Sequence, residues 1–182
     1  MRQVTDAASR ATCHIEMVKK KTRDGIQFAA LPCRIAEDGS REVMLVTSRE
    51  TRRWVIPKGW PIKGLKPPKV AAREAFEEAG LVGRIIGKRP VGVFHYEKRL
   101  DEDRLRCEVC VFLFWVDHQL EDWPEKEQRE TRWFDPLEAA GLVDEGGLAE
   151  VMQHAVVTRA ALTGSRKKPR KRQLLLQPQP AR

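Results

Sequence analysis

Hydrophobic and polar positions alternate along much of the chain, and where the alternation stops the period lengthens to that of a helix. Phe28 to Ile35 and Glu42 to Ser48 read as strands, joined across an Asp38-Gly39-Ser40 turn signal into a hairpin. Trp54-Val55-Ile56 is a short strand stopped by Pro57. A loop rich in Gly and Pro runs from Lys58 to Lys66, and Pro67-Pro68 suits the start of a helix, where a missing N–H costs nothing. That helix is predicted from about Pro68 to Ala79, with Gly80 as its C′ residue. Val82 to Ile86 and Val91 to Tyr96 are strands, Asp101-Glu102-Asp103 is a hairpin tip, and Arg106 to Asp117 is apolar on both faces and hence a central strand. A polar loop over Glu121 to Arg129 leads into a strand from Thr131 to Phe134 and a short helix from Pro136 to Leu142. Leu148, Val151, Met152, Ala155 and Val156 recur at helical spacing within a last helix from Leu148 to Leu162. This order predicts an α+β fold, a mixed β-sheet sandwiched between helices.

Charge divides the chain into three parts. The 182 residues carry a net +8, but residues 165–182 hold seven Lys or Arg and no acid, and residues 1–25 add +3, leaving the span 26–164 at −2. The expected organisation is a basic N-terminal arm (1–25), one folded domain (26–164) and a disordered basic C-terminal tail (165–182). A nearly neutral domain argues against nucleic acid as its main partner, so contact with nucleic acid is expected only through the tail. No apolar run reaches the ~18–20 residues of a membrane span, and the N-terminus shows no signal segment, so the expectation is a cytoplasmic chain with no membrane partner. Cys13, Cys33, Cys107 and Cys110 are too scattered for a disulfide framework. Cys107 and Cys110 sit at odd spacing on one strand and so face opposite ways, which does not suit zinc.

Chemistry concentrates in the helix Val70-Ala71-Ala72-Arg73-Glu74-Ala75-Phe76-Glu77-Glu78-Ala79. At ~100° per residue, Glu74, Glu77 and Glu78 share a face with Val70, while Ala72, Ala75, Phe76 and Ala79 share the opposite face, expected to pack on the sheet. On a solvated helix, like charges at i,i+4 cost only ~0.2–0.5 kcal/mol per pair, so the acidic face alone fits a solvated stripe. In a groove, two such charges ~5 Å apart cost about 3 kcal/mol at an effective dielectric near 20, and the cluster would then need cations. Lys58, Gly59 and Lys63 directly before the helix place cations beside carboxylates, as a metal–phosphate site requires.

Gly59 followed by Arg73-Glu74-Ala75-Phe76-Glu77-Glu78-Ala79-Gly80-Leu81 resembles the Nudix box, Gly-x5-Glu-x7-Arg-Glu-U-x-Glu-Glu-x-Gly-U, where U is bulky and apolar. Seven of nine fixed positions match. Ala75 is apolar but small, and Leu65 stands where the pattern has its first Glu, a departure that touches one outer acid and leaves the core set intact. The resemblance implies a Nudix fold and a hydrolase acting on phosphoanhydride (pyrophosphate) bonds. It implies Mg²⁺ or Mn²⁺ held by Glu74, Glu77, Glu78 and the backbone carbonyl at Gly59, with Arg73 orienting the glutamates. A further distal acid is expected before the late strand, and Glu127 is preferred to Glu125 and Glu130.

Arg52, Arg53, Lys58, Lys63, Lys98 and Arg106 are the expected substrate-binding cations. Their number suits a compact, highly phosphorylated small molecule, and the arrangement is similar to the branch that cleaves diphosphoinositol polyphosphates and diadenosine polyphosphates. The alternatives are hydrolysis at RNA 5′ ends, supported by the basic tail, and a non-catalytic Nudix-like binding or regulatory module, supported by Leu65. Trp60 is expected to pack rather than stack a base, and His95 to be structural.

Overall fold

In the computed structural model, which describes residues 23–100 and 103–158, the sheet is built around two long strands, β1 (Arg23–Ile35) and β7 (Asp103–Gln119). They run parallel from Arg23↔Leu105 to Cys33↔Trp115. The other strand pairs among the described residues are antiparallel: β2 (Arg41–Thr47) on β1, β3 (Trp54–Val55) and β8 (Thr131–Phe134) on β2, β4 (Lys58–Gly59) on β1, and β5 (Leu81–Ile85) and β6 (Gly92–Leu100) on β7. The result is a mixed, eight-stranded sheet.

The alternation read from the sequence sorts side chains onto two faces. Ala29, Leu31 and Cys33 of β1, with Val109, Val111 and Leu113 of β7, face a core closed by Ala139 of α2 (Pro136–Leu142) and by Leu148, Met152 and Ala155 of α3 (Gly146–Thr158). Ala30, Phe112, Phe114 and Val116 face the other way, against Ala71, Ala75 and Ala79 of α1 (Pro67–Ala79). Helices therefore cover both faces, as expected. Cys107 is fully buried while Cys110 lies among residues packed beside α1, so the pair does not converge. Burial pushes the Cys33 thiol up to about 12, which suits a core residue and not a nucleophile.

Three expectations need correction. Residues 23–25 are strand, not arm, because the parallel register with β7 continues through polar residues; the rest of the arm and the tail at 165–182 lie outside the described residues, as do residues 101–102 of the hairpin tip and the end of the last helix. Lys58–Gly59 is a short strand rather than loop, held on Phe28 and Ala29. Phe76 does not pack on the sheet but is 41% exposed; the buried face of α1 is Val70, Ala71, Ala75, Glu78 and Ala79. Three alanines let the helix lie close to the sheet, and that roll carries Glu78 inward. Among the described residues no helix is long and apolar enough to cross a membrane.

Candidate active site

α1 starts on Pro67 and Pro68 and ends at Gly80, whose φ of 65° closes it in the left-handed conformation. Its last carbonyls are taken up by a returning segment. The Glu125 N–H donates to the Glu77 carbonyl at 3.1 Å, the Leu120 N–H to the Gly80 carbonyl at 2.8 Å, and Gln119 Nε2 to the Ala79 carbonyl at 3.0 Å. Trp123 lies over Gly80, where a Cβ would come within 2.6 Å of its ring. These contacts lock residues 119–125 against the end of the acidic helix. They deliver Glu125, and after a single 3₁₀ turn at Lys126–Gln128, Arg129.

A cavity of about 740 Å³ opens there. Glu74, Glu78, Glu125 and Arg129 form one part of its wall, and Gly59 and Lys58 of β4 lie beside them. Arg49, Arg53 and Lys98 add cations to the lining; Gln27, Tyr96 and Glu145 add polar groups, and Trp60 adds an aromatic ring. Tyr96 Oη donates to Gln27 Oε1 at 2.7 Å.

Glu78 is the deepest acid, at 6% exposure. Arg129 Nη2 donates to Glu78 Oε1 at 2.6 Å, and Arg129 Nε to Glu125 Oε2 at 2.6 Å. Glu78 Oε2 is buried with no partner. Burial raises the Glu78 carboxyl to about 7, against the pull of Arg129 and Lys58. Burial raises Glu74 too, followed by the neighbouring charges of Glu77 and Glu125. Lys58 is pushed below the ordinary lysine range by burial, with Glu78 and then Glu145 acting in the opposite direction.

This donor set fits a hard divalent cation. It offers carboxylate oxygens at close quarters, a buried oxygen without a partner, and a glycine backbone beside them. A Cβ on Gly59 would overlap the Glu74 carboxylate, so only glycine lets backbone and acid approach this closely. Among the described residues no three His, Cys, Asp or Glu side chains are gathered as a ready-made metal cage; a guanidinium bridges the acids instead.

Not every residue expected at the site lies in its wall. Arg53, Lys58, Gly59, Glu74, Glu78 and Lys98 do. Glu77 stands outside it, paired with Arg73 Nε at 2.7 Å along the helix. Arg52 turns to Glu130 and the Gln128 carbonyl. Lys63 and Arg106 are exposed and do not line the cavity. Glu127 is exposed on the 3₁₀ turn, whereas Glu125 lines the cavity, its N–H capping the Glu77 carbonyl. Glu125 was weighed beside Glu127, but Arg49 and Arg129 were not among the expected residues, and Arg129 could have been found only by knowing how residues 119–129 fold back, which no local pattern encodes. Trp60 packs over Gly25, where a Cβ would come within 2.7 Å of its ring. His95 is paired with Glu108 at 3.4 Å and does not line the cavity.

The NUDIX domain matches residues 28–155. The chain is 37% identical over 105 residues to Nudix hydrolase 12, mitochondrial, of Arabidopsis thaliana, covering 56% of this chain and 51% of that protein. It is 32% identical over 108 residues to diphosphoinositol polyphosphate phosphohydrolase 3-alpha of Mus musculus, covering 58% and 62% respectively. The matched region is thus about half the length of the plant relative and under two thirds of the mouse one. A C. elegans Ap4A hydrolase structure has the same fold, with a TM-score of 0.54 at 15% identity over 75% of this chain and 98% of that one.

Proposed function

Because the chain belongs to the NUDIX domain family, we propose that it is a pyrophosphohydrolase that cleaves a phosphoanhydride bond in a highly phosphorylated small molecule, a diadenosine polyphosphate or a diphosphoinositol polyphosphate. The observation that carries this reading is Glu78, a buried carboxylate with a free oxygen, grouped with Glu74 and Glu125 in a cavity whose other walls carry Arg49, Arg53, Lys58 and Lys98.

Glu74, Glu78, Glu125 and the Gly59 backbone would hold Mg²⁺ or Mn²⁺, with Glu77, steadied by Arg73, as the outer acid. A divalent ion held there would screen the substrate's negative charge and acidify a water molecule. The remaining work falls to the chain. Lys58, Arg53, Arg49 and Lys98 neutralise and orient the outer phosphates, so that the scissile bond lies over the acids. Glu74, in the cavity wall beside Glu78 and against the Gly59 backbone, is placed to orient the attacking water and to accept its proton on an oxygen left free of the ion.

The test is hydrolysis with Mg²⁺ or Mn²⁺ across one panel: diadenosine penta- and hexaphosphate, diphosphoinositol polyphosphates, nucleoside triphosphates, ADP-ribose and 5′-triphosphate RNA, with Glu78→Gln as control. A strong, variant-sensitive activity on the first two substrates is expected. Preferential turnover of the RNA would reassign the substrate class. No turnover of any substrate by a folded, metal-binding protein would favour a binding module.

A further inference from the structure

Arg129 is not a surface guanidinium. Its side chain is 7% exposed, and it reaches Glu125 Oε2, the Thr47 carbonyl and Glu78 Oε1 at 2.6, 2.9 and 2.6 Å. A buried cation must be paired, and here two of the partners are acids assigned above to a divalent ion. The pairing is incomplete, since Glu78 Oε2 remains buried and unsatisfied. The arginine therefore quiets the cluster without meeting all of its demand.

We propose that Arg129 is the resident counter-cation of the metal pocket: it competes with the divalent ion for Glu78 and Glu125, holds the metal-free site together, and thereby sets how tightly the ion binds. The inference rests on the reading of Glu78 and Glu125 as metal ligands. Three features support it. Each carboxylate oxygen that accepts from Arg129 has a lone pair withdrawn from any other cation. The positive charge, on a side chain buried with Glu78, lies against the same acids and repels a second cation there with little screening by solvent. The bond to the Thr47 carbonyl anchors Arg129 independently of the acids, so the guanidinium can release them and stay in place. Were Arg129 instead a support that aims the acids at the metal, its removal would have the opposite effect on affinity.

The experiment is calorimetric titration of the full chain with Mn²⁺, using wild type, Arg129→Met, Arg129→Lys and Glu78→Gln, with thermal melting in chelator and in Mn²⁺. Arg129→Met should bind Mn²⁺ about tenfold more tightly, equivalent to ~1.4 kcal/mol. It should melt below wild type in chelator and regain much of the difference in Mn²⁺. Arg129→Lys keeps the charge but cannot bridge both acids while holding the Thr47 carbonyl, so it should bind about threefold more tightly; it decides the matter if Arg129→Met does not fold. Equal or weaker affinity in the folded variants overturns the proposal. Loss of binding in Glu78→Gln supports the metal pocket whatever Arg129 does, and absence of binding in wild type and all variants overturns both.

Discussion

The Glu74 carboxylate rests directly against the backbone of Gly59: a Cβ added to Gly59 would overlap it, with even the farther carboxylate oxygen only 2.7 Å away. Glycine is needed here for closeness. The substitution Gly59→Ala must push Glu74 aside or part β4 from α1. The obstacle is the far end of a flexible, half-buried side chain, so moving it costs little stability, while a misplacement of about 1 Å at a reacting centre can cost ~10²-fold in rate. Gly59→Ala should therefore remain folded, melt close to wild type, and lose about 10²-fold in turnover. Activity within a few-fold of wild type would show that Glu74 can work from elsewhere.

The segment after β7 separates two acids two residues apart. The Glu125 N–H is tied to the Glu77 carbonyl and its carboxylate to Arg129, whereas Glu127 is exposed. Glu125→Gln should weaken Mn²⁺ affinity at least tenfold by the loss of a charged hard ligand. Glu127→Gln should leave it unchanged. Paired titrations of the two variants check this, and equal losses would return the distal role to the exposed acid.

Periodic and local features were legible in the sequence. Alternation placed Ala29 and Leu31 opposite Ala30, and glycine after Ala79 marked the helix end. The i,i+4 spacing of Glu74 and Glu78 put both on one face of the helix. Features set by tertiary packing were not legible. The roll of α1 that exposes Phe76 and buries Glu78 follows from how closely Ala71, Ala75 and Ala79 approach the sheet. The choice of Glu125 over Glu127 follows from a capping bond across 48 residues, from Glu125 to Glu77. Arg129 has no signal at all until Thr47, Glu78 and Glu125 are brought around it.

Gly80 has two independent reasons to be glycine, its φ of +65° and the Trp123 ring. Alanine there meets both the left-handed penalty of roughly 1–2 kcal/mol and a ring that cannot move without disturbing the cap of α1. Gly80→Ala should lower stability by about 2–4 kcal/mol in urea unfolding, the scale of combined strain and overpacking. A loss below about 1 kcal/mol, the scale of a simple interior substitution, would mean that Trp123 is loosely held.

Leu65 occupies the first acidic position of the box pattern, but it is half-buried, outside the cavity wall, and its N–H closes a turn on the Ile62 carbonyl at 3.0 Å. Restoring the acid with Leu65→Glu adds a charge near the surface, where single charges contribute roughly 0–1 kcal/mol. Turnover should change less than about threefold. A large gain would show that the departure weakens the native site.

Glu78 couples stability to pH in an unusual direction. Burial raises its carboxyl from 4.5 to about 7 in the folded chain, even though Arg129 and Lys58 pull it down. Between those values the folded protein keeps a proton that the unfolded chain has released. The group's contribution is therefore complete below about 4.5 and is lost as pH rises to about 7. Glu78→Gln removes this titration. In chelator, the stability of the variant relative to wild type should rise across that window, by as much as about 3 kcal/mol for a shift of this size, and level off above it. The same variant should lose roughly 10²–10³-fold in turnover, about 3–4 kcal/mol of barrier. Since Mn²⁺ requires the ionised acid, its binding to wild type near neutral pH should release a proton, visible as a buffer-dependent heat. Parallel stability profiles for the two proteins, with no proton release, would mean that Arg129 keeps Glu78 ionised throughout, and burial would not govern its charge.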